Sequence, residues 1–145
     1  MFTDGKNYEK SEAGRVNAVT LAFLGDAVYA LFVREALVKS NSGKASALQR
    51  SASKVLSAKG QSAFLEKVSA LFTKDEEEVY KRGRNAKKPT KSKNASVAEY
   101  ARSTGFEAVL GYLYLAGDMQ RIDYLLSFID QDELKGQAKE TVYKP

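Results

Sequence analysis

Between Val19 and Val33 the chain runs for fifteen residues with a single charge, Asp26. Apolar side chains recur there at helical spacing. Val16, Val19, Phe23, Ala27 and Leu31 form one stripe, and Leu24, Val28 and Phe32 lie beside it. That period is an α-helix's, and so wide an apolar surface calls for burial against more than one partner. It is no membrane span, which takes about 20 apolar residues with few or no charges.

The remainder of the chain repeats the period. There are two prolines, Pro89 and Pro145, and no alternating strand pattern, internal repeat or Gly-rich phosphate loop. The first long helix is expected from about Arg15 to Lys39, stopped by Ser40-Asn-Ser-Gly43. A second helical region spans about Ala45 to Leu71, with Gly60 as the point that bends or divides it. Thr73-Lys-Asp-Glu76 and Ser96-Val-Ala-Glu99 have the form of capping boxes. They open helices running to about Ala86 and Ala116. Gly117 is a stop, and Met119 to Ile129 forms a last amphipathic helix. The expected fold is all-α, with one domain over residues 15–130 between an N-terminal extension (1–14) and a polar C-terminal tail (131–145).

Composition narrows the chemistry. With no Cys there is no disulfide, thiolate nucleophile or cysteine metal site; with no His there is no imidazole base or Ser-His-Asp triad. An enzyme built from this chain relies on carboxylates, amines, hydroxyls or a hard cation held by oxygen. The N-terminus lacks the apolar segment of a signal peptide, so a cytoplasmic protein is expected.

Charge is concentrated. Lys and Arg number 23 against 18 Asp and Glu, a net of +5. Seven of the bases lie between Lys81 and Lys93 with no acid among them; without them 16 bases face 18 acids, a net of −2. This stretch is either a polyanion contact or a solvated loop.

Two acids stand alone in the two most apolar segments. Asp26 is one; Glu107, the only charge between Arg102 and Asp118, is the other. A lone buried carboxylate costs several kcal/mol unless compensated. Such acids either meet across a helix pair to hold a divalent cation, pair with Arg15, Arg34 or Arg102, or face solvent at a crossing. Gly25 and Gly111, beside them, are read as close-packing positions.

Leu21-Ala-Phe-Leu-Gly-Asp26-Ala-Val resembles the signature helix of the ribonuclease III catalytic domain. Phe106-Glu107-Ala-Val-Leu-Gly111-Tyr-Leu-Tyr-Leu is similar to that family's second acidic segment, and Ala47-Leu-Gln-Arg-Ser-Ala-Ser-Lys-Val-Leu-Ser-Ala-Lys59 to its middle helix. Order and spacing agree over about residues 15–130. Within the family the chain resembles the Mini-ribonuclease III branch, which has the catalytic domain without a double-stranded-RNA-binding domain. Lys81-Arg-Gly-Arg-Asn-Ala-Lys87 is similar to that branch's basic segment, and the end of the chain at Pro145 is expected to leave no room for an RNA-binding module.

The resemblance implies a homodimeric, magnesium-dependent endonuclease (manganese substituting) acting on double-stranded RNA. For this branch it implies maturation of the large-subunit (23S) ribosomal RNA precursor. Asp26 and Glu107 are the implied catalytic and metal-binding residues. Lys81, Arg82, Arg84, Asn85, Lys87, Lys88, Lys91 and Lys93 are the implied RNA-binding set. Two places depart from ordinary ribonuclease III, which has acids where this chain has Ala22 and Thr104; the Mini branch shares both departures. A non-catalytic RNA-binding ribosome-assembly protein of the same fold, or a plain helical adaptor, are the competing readings.

Overall fold

A computed structural model describes residues 4–40, 43–86 and 96–129. Its elements are α1 (Lys10–Arg15), α2 (Ala18–Ser40), α3 (Ala45–Leu56), α4 (Ala58–Val68), a 3₁₀ turn (Ser69–Leu71), α5 (Lys74–Asn85), α6 (Val97–Leu115) and α7 (Met119–Leu126). The described residues contain no strand, as the apolar period requires.

Both capping boxes form. The Thr73 hydroxyl accepts from the Glu76 amide at 3.1 Å while the Glu76 carboxylate accepts from the Thr73 amide at 2.9 Å. Ser96 and Glu99 repeat the exchange at 3.0 and 3.1 Å. Each box satisfies amides that a helix start leaves unpaired, which is why α5 and α6 begin where the sequence says. Gly117 takes a φ of +73°, a left-handed turn disfavoured for residues with a Cβ, between α6 and α7.

Helix α6 is the centre. From Ser103 to Leu113 every residue but Glu107 is buried, with α2, α4 and α5 packed around it. Tyr29, Phe64 and Phe106 interlock where α2, α4 and α6 meet, with ring centroids 5.4 to 6.4 Å apart. Helix α3 packs on α2, and α1 and α7 lie against α6. The buried Glu76 receives two bonds from the Arg121 guanidinium, at 2.8 and 2.9 Å, which tie α5 to α7.

Two expectations need correction, and a third is made definite. A short helix, α1, precedes the long one within and just beyond the expected extension. Asn17 separates them, its side-chain oxygen accepting from the amides of Val19 and Thr20. The 45–71 region divides at Ser57, not Gly60: Ser57 adopts extended backbone (φ −61°, ψ 157°), ends α3 and caps α4 through the Gly60 amide. Gly60 is needed because a Cβ there would lie 2.5 Å from the Lys54 carbonyl. Finally, the buried stripe of α2 is Leu21, Gly25, Tyr29, Val33 and Leu37; Val19, Phe23, Ala27 and Leu31 face outward.

Candidate active site

The site lies where α2 and α6 touch. Gly25 and Gly111 let the two backbones meet: a Cβ on Gly25 would overlap the Glu107 carbonyl and lie 2.9 Å from the Gly111 nitrogen, and one on Gly111 would overlap the Leu21 carbonyl. Asp26 follows Gly25 in the chain, and Glu107 stands one turn before Gly111. The seam therefore brings the two isolated acids together, with Asp26 exposed and Glu107 partly buried. Among the described residues neither forms an ion pair with Arg15, Arg34 or Arg102.

Burial is the main reason that the Glu107 carboxyl is pushed up from its ordinary value to about 8. A hydrogen bond from Gln61 opposes the shift. The nearby charge of Asp26, and a hydrogen bond that Glu107 shares with it, reinforce the shift. In the protein alone Glu107 therefore holds its proton near neutral pH beside Asp26.

Gln61 supplies the third side of the site. Sequence reasoning passed over it, since a glutamine in a polar helix carries no signal. It is 2% exposed. Its Nε2 donates to Glu107 Oε2 at 3.0 Å and to the Leu56 carbonyl at 2.9 Å, one of the last carbonyls of α3. Its Oε1 is buried and accepts no hydrogen bond from a described residue. An unpaired buried acceptor costs about 1–3 kcal/mol.

The two departures from ordinary ribonuclease III are both buried small residues: Ala22 in the α2 seam, and Thr104, whose hydroxyl donates to the Tyr100 carbonyl at 2.9 Å. Accordingly no group of three or more His, Cys, Asp or Glu side chains suited to a metal occurs among the described residues.

The basic segment is divided. Lys81, Arg82, Arg84 and Asn85 lie on the last turns of α5; Lys87, Lys88, Lys91 and Lys93 lie outside the described residues. Lys81 pairs with Glu77 at 3.3 Å. Arg84 donates to Asn85 Oδ1 at 3.2 Å and stacks 5.5 Å from the Tyr80 ring centre. Arg82 reaches across to the Gly14 and Val16 carbonyls at the end of α1, a contact between residues 68 and 66 positions apart. It clamps α1 to α5, which the sequence could not show. No described helix is long and apolar enough to cross a membrane.

The family model of the Ribonuclease III domain matches residues 19–118. A Mini-ribonuclease 3 of Streptococcus pneumoniae is 42% identical over 118 residues, 80% of this chain and 92% of that protein. One of Symbiobacterium thermophilum is 46% identical over 108 residues, 74% of this chain and 83% of that protein. A crystal structure of a protein from Fusobacterium nucleatum superposes with a TM-score of 0.74 at 26% identity, covering 79% of this chain and 93% of that one. A family model matched over residues 19–118 and relatives 42% and 46% identical over most of their length place the chain in the ribonuclease III family, as an endoribonuclease of that type and a relative of the Mini-ribonuclease 3 proteins.

Proposed function

We propose that the chain hydrolyses double-stranded RNA with Asp26 and Glu107 holding a magnesium ion, manganese substituting, and that it acts as a homodimer on the large-subunit (23S) ribosomal RNA precursor. The observation that carries this reading is the meeting of two isolated carboxylates at a seam where two helix backbones touch.

The donor set fits such an ion. Two carboxylates form an all-oxygen site, and magnesium is typically held by one or two carboxylates, waters and substrate phosphates. When bound, it would supply Lewis acidity toward water and the scissile phosphodiester. The protein's own part is to hold the ligands. Asp26 and Glu107 would hold the ion as carboxylates, and the glycine-packed seam sets them side by side. The exposed Asp26 borders the solvent side from which a phosphate arrives.

The outward stripe of α2 supports the dimer. Phe23 is 83% and Leu31 55% exposed, with Val19 and Ala27 between and beside them. Burying one such large side chain is worth about 1.5–3 kcal/mol. A second copy across a two-fold axis would cover the stripe and bring two acid pairs, which flank it, to one duplex.

RNA affinity is assigned to the basic stretch 81–93, which contains Lys87, Lys88, Lys91 and Lys93. Phosphate contacts of that kind follow duplex shape more than sequence. The test is cleavage by pure protein, with and without magnesium, of a duplex carrying the paired ends of the ribosomal RNA precursor. An unrelated duplex is the comparison. Failure to cut either duplex in magnesium refutes the nuclease reading. Equal cutting of both refutes the precursor assignment alone.

A further inference from the structure

We infer that Gln61 is a positioning residue for the metal site: held by the Leu56 carbonyl at the α3–α4 break, its amide grips Oε2 of Glu107 and turns the other carboxylate oxygen toward the cation. The inference rests on the metal-site reading above and assigns a role to a residue outside the acid pair.

The geometry admits one amide orientation. Both partners of Nε2, the Leu56 carbonyl and Glu107 Oε2, can accept hydrogen bonds, and Leu56 can only accept. Turning the amide over would set an oxygen against that carbonyl and against the carboxylate. A primary amide has two protons, and here each has one acceptor, at 2.9 and 3.0 Å. Both protons are therefore committed, one to the end of α3 and one to Glu107.

The chemistry of the group suits this task. A lysine or arginine in its place would add charge and compete with a cation for Glu107. An apolar residue would leave both the carboxylate and the Leu56 carbonyl unpaired. A neutral donor ties one oxygen and leaves the charge for the metal, as the groups behind metal ligands do elsewhere. The placement also departs from what folding alone would select, because Gln61 Oε1 is buried without a described donor.

The probe is manganese(II) alone, followed by electron paramagnetic resonance titration of the full-length protein without RNA. Four proteins are compared: wild type, Gln61→Met, Glu107→Gln and the double variant. Gln61→Met should weaken manganese binding tenfold or more, and should add nothing in the Glu107→Gln background, because the gripped carboxylate is gone. Wild-type affinity in Gln61→Met, or a further tenfold loss in the double variant, overturns the inference. Unchanged binding in Glu107→Gln overturns the metal-site reading itself, and with it this inference. The wild-type protein offers a second reading that needs no variant to fold: the side-chain amide resonances of Gln61 should shift on saturation with magnesium. Amide resonances that do not move overturn the inference as well.

Discussion

Replacing Glu107 by glutamine should flatten the pH dependence of stability in the metal-free protein. The Glu107 carboxyl has an ordinary value of 4.5 and is pushed up to about 8, chiefly by burial. Between those values the folded chain holds a proton that the unfolded chain has lost. The contribution is thus complete below pH 4.5 and is lost as pH rises to about 8. At about 1.4 kcal/mol per unit the whole shift corresponds to about 5 kcal/mol, an upper bound because Asp26 is exposed and water reaches the pair. About 2 kcal/mol is a fair expectation, and at roughly 3 °C per kcal/mol for a domain of this size the melting temperature should fall by about 6 °C. Differential scanning calorimetry at fixed protein concentration, in steps from pH 5 to 8.5, measures this. The quantity is the difference between the wild-type and Glu107→Gln curves. Magnesium at about 100 times its dissociation constant should return about 2.7 kcal/mol to the wild type at pH 8 and little to the variant. Parallel curves for the two proteins would refute the reasoning, since Glu107 would then be an ordinary solvated acid.

Five other outcomes are expected. Asp26→Asn and Glu107→Gln should each lower cleavage of duplex RNA at least about a hundredfold, a few kcal/mol of barrier, with helical circular dichroism unchanged; near wild-type turnover in magnesium would refute the two-acid site. Gly111→Ala should reduce folded protein and activity together, because its methyl group overlaps the Leu21 carbonyl; an unchanged melting temperature would contradict the described seam. Phe23→Glu should convert a species of about twice 16.0 kDa in light scattering to a folded monomer, and a dimer that persists would free α2 of that role. Replacing Lys87 and Lys88 by alanine should weaken RNA binding and reduce its salt slope by about one unit per lost phosphate contact. Arg82→Ala should instead lower thermal stability, since its guanidinium is engaged with the end of α1.

Much of this protein is legible from its sequence because much of it is set by local signals. The two capping boxes and Gly117 work within a few residues of chain, and the helices after them begin where expected, although α7 ends at Leu126 rather than Ile129. The glycines near Asp26 and Glu107 also announce a close helix contact, since a residue without a side chain lets another backbone approach. Only the tertiary structure decides which side of α2 is inside: Phe23 and Tyr29 are both aromatic residues on an apolar helix, and a periodic pattern cannot say which of two apolar faces meets α6. Nor does composition separate Lys87, whose charge has no acid nearby in the chain, from Arg82, whose guanidinium meets carbonyls 66 and 68 residues away. Gln61 is the sharpest case. Its grip on Glu107 joins residues 46 positions apart and depends on the break at Ser57, on burial and on a carbonyl from a third helix. Hydrogen bonds of that range exist only after the helices have packed, so no local pattern of side chains can encode them.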